Sequence, residues 1–222
     1  MPQIVTFIGW HNSGKTTLAT RVVSHLKEAG YRVGVIKSSK ETGISLDRPG
    51  TDTTQYRQAG ADTVLLIAPD QMMLLADCSE AALTTLAYRY FFDVDIIIGE
   101  GFKQAKQVAK IEVVREPERL LRGTVPGVIA VVSEHDLDGE NIFRPEQSRE
   151  IAAFIEERFL RHARTRGTRA ALLINGVRVP MKYFVQRSLA GTVAGFVNSL
   201  KNTENAREIE IRITIDDNGD RD

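Results

Sequence analysis

Residues 3–20 read QIVTFIGWHNSGKTTLAT, and this stretch sets the architecture of everything that follows. Gln3 to Ile8 is a short, β-branched, apolar run, the pattern of a buried strand. Beyond it Leu18, Val22, Leu26 and Ala29 recur at helical spacing until Gly30 ends the helix. The connection between them, Gly9-x4-Gly14-Lys15-Thr16, fits the pattern G-x-x-x-x-G-K-[ST]. Its glycines let backbone N–H groups turn inward around a phosphate chain, and the helix N-terminus adds partial positive charge. Gly9, Trp10, His11, Asn12, Ser13, Gly14, Lys15, Thr16 and Thr17 are therefore the candidate nucleotide-binding residues. In that role Lys15 reaches the β- and γ-phosphates and the Thr16 hydroxyl binds Mg²⁺.

Working outward, strands and helices alternate through roughly the first 160 residues. YRVGVIK (31–37), DTVLLIA (62–68), VDIIIGEG (94–101), KIEVVR (110–115) and GVIAVVS (127–133) read as strands, and MMLLAD pairs beside the third through a Pro69-Asp70 turn. TTQYRQAGA gives a short helix, SEAALTTLAYRYF a helix with Ser79 as its cap, and EQSREIAAFIEERFL an amphipathic helix. The predicted fold class is α/β: a P-loop NTPase-type, mostly parallel sheet with helices on both faces. The pattern changes at RHARTRGTR (161–169), which reads as a linker or as a basic cluster for an anionic partner. The expected division is a nucleotide-binding domain over 1–162, a small α+β unit over 169–216 and a polar tail over 217–222. The small unit is predicted as a hairpin turning at Asn175-Gly176, a helix lined by Val185, Leu189, Val193, Phe196, Val197 and Leu200, and a half-buried strand from EIEIRITID. Gly191 and Gly195 in that helix suit close packing.

A phosphate loop needs an acid at the end of a neighbouring strand to hold the metal's water shell. Ligands of open α/β sheets gather at the carboxyl ends of strands, so Glu100 is the expected metal-side acid and Asp95 a strand-edge residue at the far end. Gly101 beside it reads either as a glycine that lets backbone approach the γ-phosphate or as an ordinary turn glycine. Asp47 and Asp52, in the long polar segment after the second strand, read either as catalytic groups that sense Mg²⁺ or the attacking water, or as solvated acids. Asp136, after the strand IAVVS, reads either as a hydrogen-bond acceptor for guanine or as part of a polar loop, and no N-K-x-D accompanies it.

Composition narrows the function classes. Twenty-nine basic and 29 acidic residues cancel in a chain of 222 residues, which argues against a broad nucleic-acid footprint. Cys78 is the only cysteine and the histidines (11, 25, 135, 162) are scattered, so neither a disulfide framework nor a Cys/His metal cluster is written into the chain. MPQIVTF lacks the features of a signal peptide, and no run approaches the roughly 18 apolar residues of a membrane span. A cytoplasmic protein is expected.

GWHNSGKTTL, VGVIK, LDRPGTDT running into RQAGA, DIIIGEGFK with AKIEVVR after it, and VIAVVS together resemble the MobB family, the adaptors of molybdopterin-guanine dinucleotide biosynthesis. The resemblance covers residues 4 to about 160, and GEGFK with LDRPGTD carries more of it than the phosphate loop alone. It implies a homodimeric GTP-binding protein, at most a weak GTPase, that uses Mg²⁺. It also implies a partner, the MobA-type guanylyltransferase that joins GMP to Mo-molybdopterin. The family's phosphate loop falls on Gly9 to Thr17, its switch acids on Asp47 and Asp52, its metal-side acid on Glu100, and Lys37 also matches. Where the family commonly has histidines after that lysine, this chain has Ser38-Ser39-Lys40-Glu41. The rival class is a small-molecule kinase using ATP, for which REPERLLRG (115–123) would supply lid arginines, although interleaved glutamates also suit an ordinary charged loop.

Overall fold

The computed structural model describes residues 2–44, 50–77, 82–91, 93–161, 170–175, 177–203, 206–213 and 215. The chain divides into two units, Met1–Thr165 and Arg166–Asp222. The first runs β1 (Gln3–Ile8), α1 (Lys15–Glu28), β2 (Val33–Lys37), α2 (Asp52–Gln58), β3 (Thr63–Ile67), β4 (Met72–Ala76), α3 (Leu83–Tyr90), β5 (Ile96–Glu100), β6 (Ala109–Val114), β7 (Val128–Ser133), β8 (Ile142–Phe143) and α4 (Ser148–Ile155). Ser79, expected to cap α3, lies outside the described residues.

Six of these strands form one sheet in the order β2-β5-β1-β6-β7-β8, with every pairing parallel. Parallel strands need crossovers, and these bury both faces of the sheet. On one face Val5 and Phe7 of β1, Ile96 and Ile98 of β5, Ile111 and Val113 of β6, and Ala130 and Val132 of β7 form a core with Leu18, Val22 and Leu26 of α1 and Ile151 and Ile155 of α4. A π-helical turn, Glu156–Leu160, extends α4 and brings Leu160 into the same core. The opposite face carries Thr6, Ile97, Lys110 and Glu112, all buried, and the Phe91 ring after α3 lies against Gly34 of β2.

That second face holds two charges inside a strand. The Lys110 ammonium donates to the carbonyls of Ala105 (2.7 Å), Val108 (3.2 Å) and Pro126 (2.9 Å), and burial pushes its pKa below the ordinary lysine value. The Glu112 carboxylate accepts from the backbone N–H groups of Leu121 (2.5 Å) and Arg122 (2.8 Å). Each charge thus fastens loop backbone onto the sheet, the arrangement that makes a buried ion tolerable. β3 and β4 pair antiparallel as a separate ribbon, as the Pro69-Asp70 turn predicts, and Leu65, Leu66, Ile67, Met72 and Leu74 stay exposed on it.

In the second unit β9 (Leu173–Ile174) and β10 (Val177–Arg178) pair antiparallel, with Asn175 in the left-handed conformation that tight hairpin turns require. α5 (Tyr183–Asn198) follows, and none of its residues is buried. The strand expected from EIEIRITID does not form: residues 206–213 and 215 take no strand, and Ile209, Ile211, Ile213 and Ile215 are exposed. Alternation prepares a face for burial, but a strand exists only where a neighbouring edge accepts its ladder, and none among the described residues does. The tail, 217–222, lies outside the described residues.

Candidate functional site

The turn from β1 into α1 is built by two glycines. A side chain on Gly9 would place its Cβ 2.3 Å from the Val113 carbonyl of β6, so only glycine lets the loop pass the neighbouring strand. Gly14 stands at φ +87° as the N-cap of α1, a left-handed conformation that glycine adopts without strain. The first helical bond of α1 runs from Leu18 N–H to Gly14 C=O (3.1 Å), so the amides of Lys15, Thr16 and Thr17 come before the ladder begins. No acidic residue occupies the first turn, and no side chain caps the helix. The positive end of the helix is left open toward the loop.

Lys15 folds back over that loop, donating from Nζ to the Trp10 carbonyl (2.5 Å) and to Ser13 Oγ (3.2 Å). Burial lowers its pKa below the usual lysine value; Glu100 works in the other direction, and Lys103 and Lys37 add to the lowering. At the carboxyl end of β5, Thr16 Oγ1 donates to Glu100 Oε1 at 2.8 Å. Lys37 stands opposite Glu100 in the β2–β5 register, with Nζ 3.4 Å from the same oxygen. Glu100 is only 15% exposed, and its two partners come from two different elements, Thr16 from the first turn of α1 and Lys37 from the end of β2. An alcohol and a carboxylate held side by side are hard oxygen donors, the set that suits Mg²⁺. Gly101 follows at φ +97°, its N–H bonded to the Phe7 carbonyl (2.9 Å).

The other residues expected from the sequence fall as follows. His11 and Asn12 are exposed on the loop, and the Asn12 carbonyl accepts from Arg115 Nη1 (3.3 Å). Asp52 is exposed as the first residue of α2, and Asp47 lies outside the described residues. Asp95 is tied at the far end of β5, accepting from Arg32 N–H at 2.8 Å. Asp136 is ion-paired with Arg144, whose guanidinium also donates to the Glu134 carbonyl (2.6 Å).

The loops that follow β5 and β6 add residues that were not among the candidate site residues. Trp10 Nε1 donates to the Arg119 carbonyl (2.7 Å), and the Arg119 guanidinium lies over its ring, 4.2 Å from the centroid. Lys103 Nζ lies 4.1 Å from the same centroid. Arg119 belongs to the 115–123 loop, which reads from sequence as either a lid or an ordinary charged loop. The structure brings Arg115 and Arg119 onto the phosphate loop, while Glu112 holds the amides of Leu121 and Arg122 behind them and the Arg122 guanidinium turns away to the Asp138 carbonyl. Lys103 carried a sequence signal too, standing three residues after Glu100 within GEGFK. Among the described residues no three His, Cys, Asp or Glu side chains group to hold a metal, and no helix is long and apolar enough to cross a membrane.

Residues 4–134 match the family model for molybdopterin guanine dinucleotide synthesis protein B, MobB. The molybdopterin-guanine dinucleotide biosynthesis adapter protein of Escherichia coli is 33% identical over 62% of this chain and 82% of its own length. A putative adapter protein of the same description from Methanocaldococcus jannaschii is 21% identical over 96% of this chain and 98% of its own length, so that alignment reaches into the second unit. A crystal structure of molybdopterin-guanine biosynthesis protein B superposes with a TM-score of 0.59 at 32% identity, covering 69% of this chain and 98% of that one.

Proposed function

The chain belongs to the MobB family, and from that premise we propose that it is a GTP-binding adaptor of molybdopterin-guanine dinucleotide biosynthesis, acting beside a MobA-type guanylyltransferase on Mo-molybdopterin. The observation that carries the nucleotide reading is the juxtaposition of an open, uncapped helix N-terminus with the Thr16–Glu100 contact at 2.8 Å. Backbone amides of the Gly9–Thr17 loop surround the phosphates, and Lys15 exchanges the Trp10 carbonyl for the β- and γ-phosphate oxygens. Thr16 Oγ1 and Glu100 would hold Mg²⁺, the hydroxyl directly and the carboxylate through the metal's water. A magnesium ion held by these residues would supply charge neutralisation for the phosphate oxygens. Lys37 keeps the Glu100 carboxylate oriented. Asp47 and Asp52 sense the metal or the attacking water, and Gly101 offers backbone to the γ-phosphate.

Hydrolysis is slow or absent in this reading, and the nucleotide serves to fix the form that holds partner and substrate together. A homodimer is supported by the β3–β4 ribbon, which exposes apolar residues and stands apart from the main sheet. A lone two-stranded ribbon has marginal stability, and a second copy would cover it. A cytoplasmic setting accompanies this reading.

The deciding experiment is calorimetric titration with GTP and with ATP, each with Mg²⁺, alongside Lys15→Ala. GTP binding that fails for ATP and disappears in Lys15→Ala is the expected result, with stimulation of Mo-molybdopterin guanylation by the partner enzyme as its sequel. Preferential ATP binding overturns the guanine assignment and favours a kinase.

A further inference from the structure

Lys103 is the charge in the site with the least to hold it. Its side chain is only partly exposed, yet the ammonium forms no hydrogen bond or ion pair with any other described residue and instead lies over the Trp10 ring. Burial lowers its pKa, and so do Lys40 and Arg119, with Glu112 opposing. Arg119 is anchored differently: its carbonyl takes the Trp10 indole N–H at 2.7 Å, and its guanidinium meets Glu116 at 3.3 Å. A desolvated ammonium gathered with like charges and lacking an acceptor marks a place where an anion belongs. The place is specific. Trp10 is the second residue of the Gly9–Thr17 loop and Lys103 follows Gly101 after the end of β5, so the two meet beside that loop, with Lys103 near enough to Lys15 to help lower its pKa.

Resting on the nucleotide reading above, we infer that Trp10, Lys103 and Arg119 form a latch that reads the terminal phosphate of a nucleoside triphosphate. Without nucleotide, the Trp10 face holds Lys103 by cation–π attraction. With a triphosphate bound, Lys103 leaves the ring and donates to a γ-phosphate oxygen, while Arg119 stays because its backbone is bonded to the indole. The exchange is downhill, since a charge-assisted hydrogen bond to phosphate is stronger than a partly solvated cation–π contact. A diphosphate offers no oxygen at that position and leaves the latch closed. Lys103 is thus a specificity-determining residue for the triphosphate form.

Trp10 is the only tryptophan of the chain, so indole emission of the full-length protein reports this residue alone. The experiment titrates GTP and GDP, each with Mg²⁺, into wild type, Lys103→Met and Lys15→Ala, reading calorimetric affinity and Trp10 emission. Methionine keeps the apolar stem and removes the charge. The expected result is a loss of about tenfold in GTP affinity for Lys103→Met with GDP affinity within about twofold of wild type. In wild type GTP raises the emission, because an ammonium against the ring quenches indole, and GDP does not. In Lys103→Met the resting emission is already raised and GTP adds nothing beyond GDP. Equal losses for GTP and GDP, or no loss for either, overturn the latch while leaving the phosphate site standing. Binding of neither nucleotide by wild type, or binding unchanged in Lys15→Ala, removes the phosphate site and the latch with it.

Discussion

Residues 109–114, AKIEVV, and residues 208–213, EIEIRI, carry nearly the same pattern, charged side chains interleaved with β-branched apolar ones, and they meet opposite fates. The first is β6, paired on both sides by β1 and β7, with Ile111 fully buried and Lys110 and Glu112 buried on the other face. The second forms no strand, and Ile211 is 52% exposed. Alternation states which face a strand would bury, and it says nothing about whether a neighbour is present. β6 has two neighbours, and the loops around it supply carbonyls for Lys110 and amides for Glu112. A pattern that reads as half-solvated from sequence becomes wholly buried, because backbone groups replace water as partners.

This contrast can be broken by substitution. Its most severe test is Glu112→Ala, which leaves the buried Leu121 N–H and the partly buried Arg122 N–H without an acceptor; we expect a loss of about 3–5 kcal/mol in denaturant unfolding. The same change should loosen the 115–123 loop, visible as altered Trp10 emission through Arg119. Lys110→Met keeps the volume but withdraws a donor from three carbonyls, and about 1–3 kcal/mol should be lost. A cost below measurement for either variant would show that the loop carbonyls and amides find other partners and that the charges do not fasten the loops.

The other half of the contrast predicts small effects. Ile211→Ala should change stability by no more than about 0.5 kcal/mol, as exposed substitutions do. A loss as large as that of a core truncation, about 2–5 kcal/mol, would mean that 208–213 pairs as a strand after all. Amide hydrogen exchange sharpens the same point without mutation: the amides of β6 should exchange only through large-scale opening, those of 208–213 close to the unprotected rate.

The phosphate loop was the most legible part of the molecule. Gly9 and Gly14 declare themselves because the backbone there demands glycine, and Lys15 and Thr16 stand at the fixed spacing of the motif that opens α1. Glu100 was readable from strand direction, since a buried run ending in an acid places that acid at the carboxyl edge of the sheet. Lys103, Arg115 and Arg119 were not readable as a group, because their convergence on Trp10 and Asn12 depends on loops folding back across 93 to 109 residues of sequence. Asp136 looked available from sequence and is held by Arg144, a partner that no local pattern announces.

The sequence by itself determined the strand–loop–helix of residues 3–28, the alternation of strands and helices, the β3–β4 ribbon and the hairpin at Asn175, all governed by local periodicity and turn chemistry. Only the tertiary structure decided the strand order, the burial of Lys110 and Glu112, the placing of two further cations on Trp10 and the failure of 208–213 to become a strand. These are matters of which backbone and side-chain groups find partners far away in the chain, and partnership at a distance is set by packing rather than by any residue's own preference.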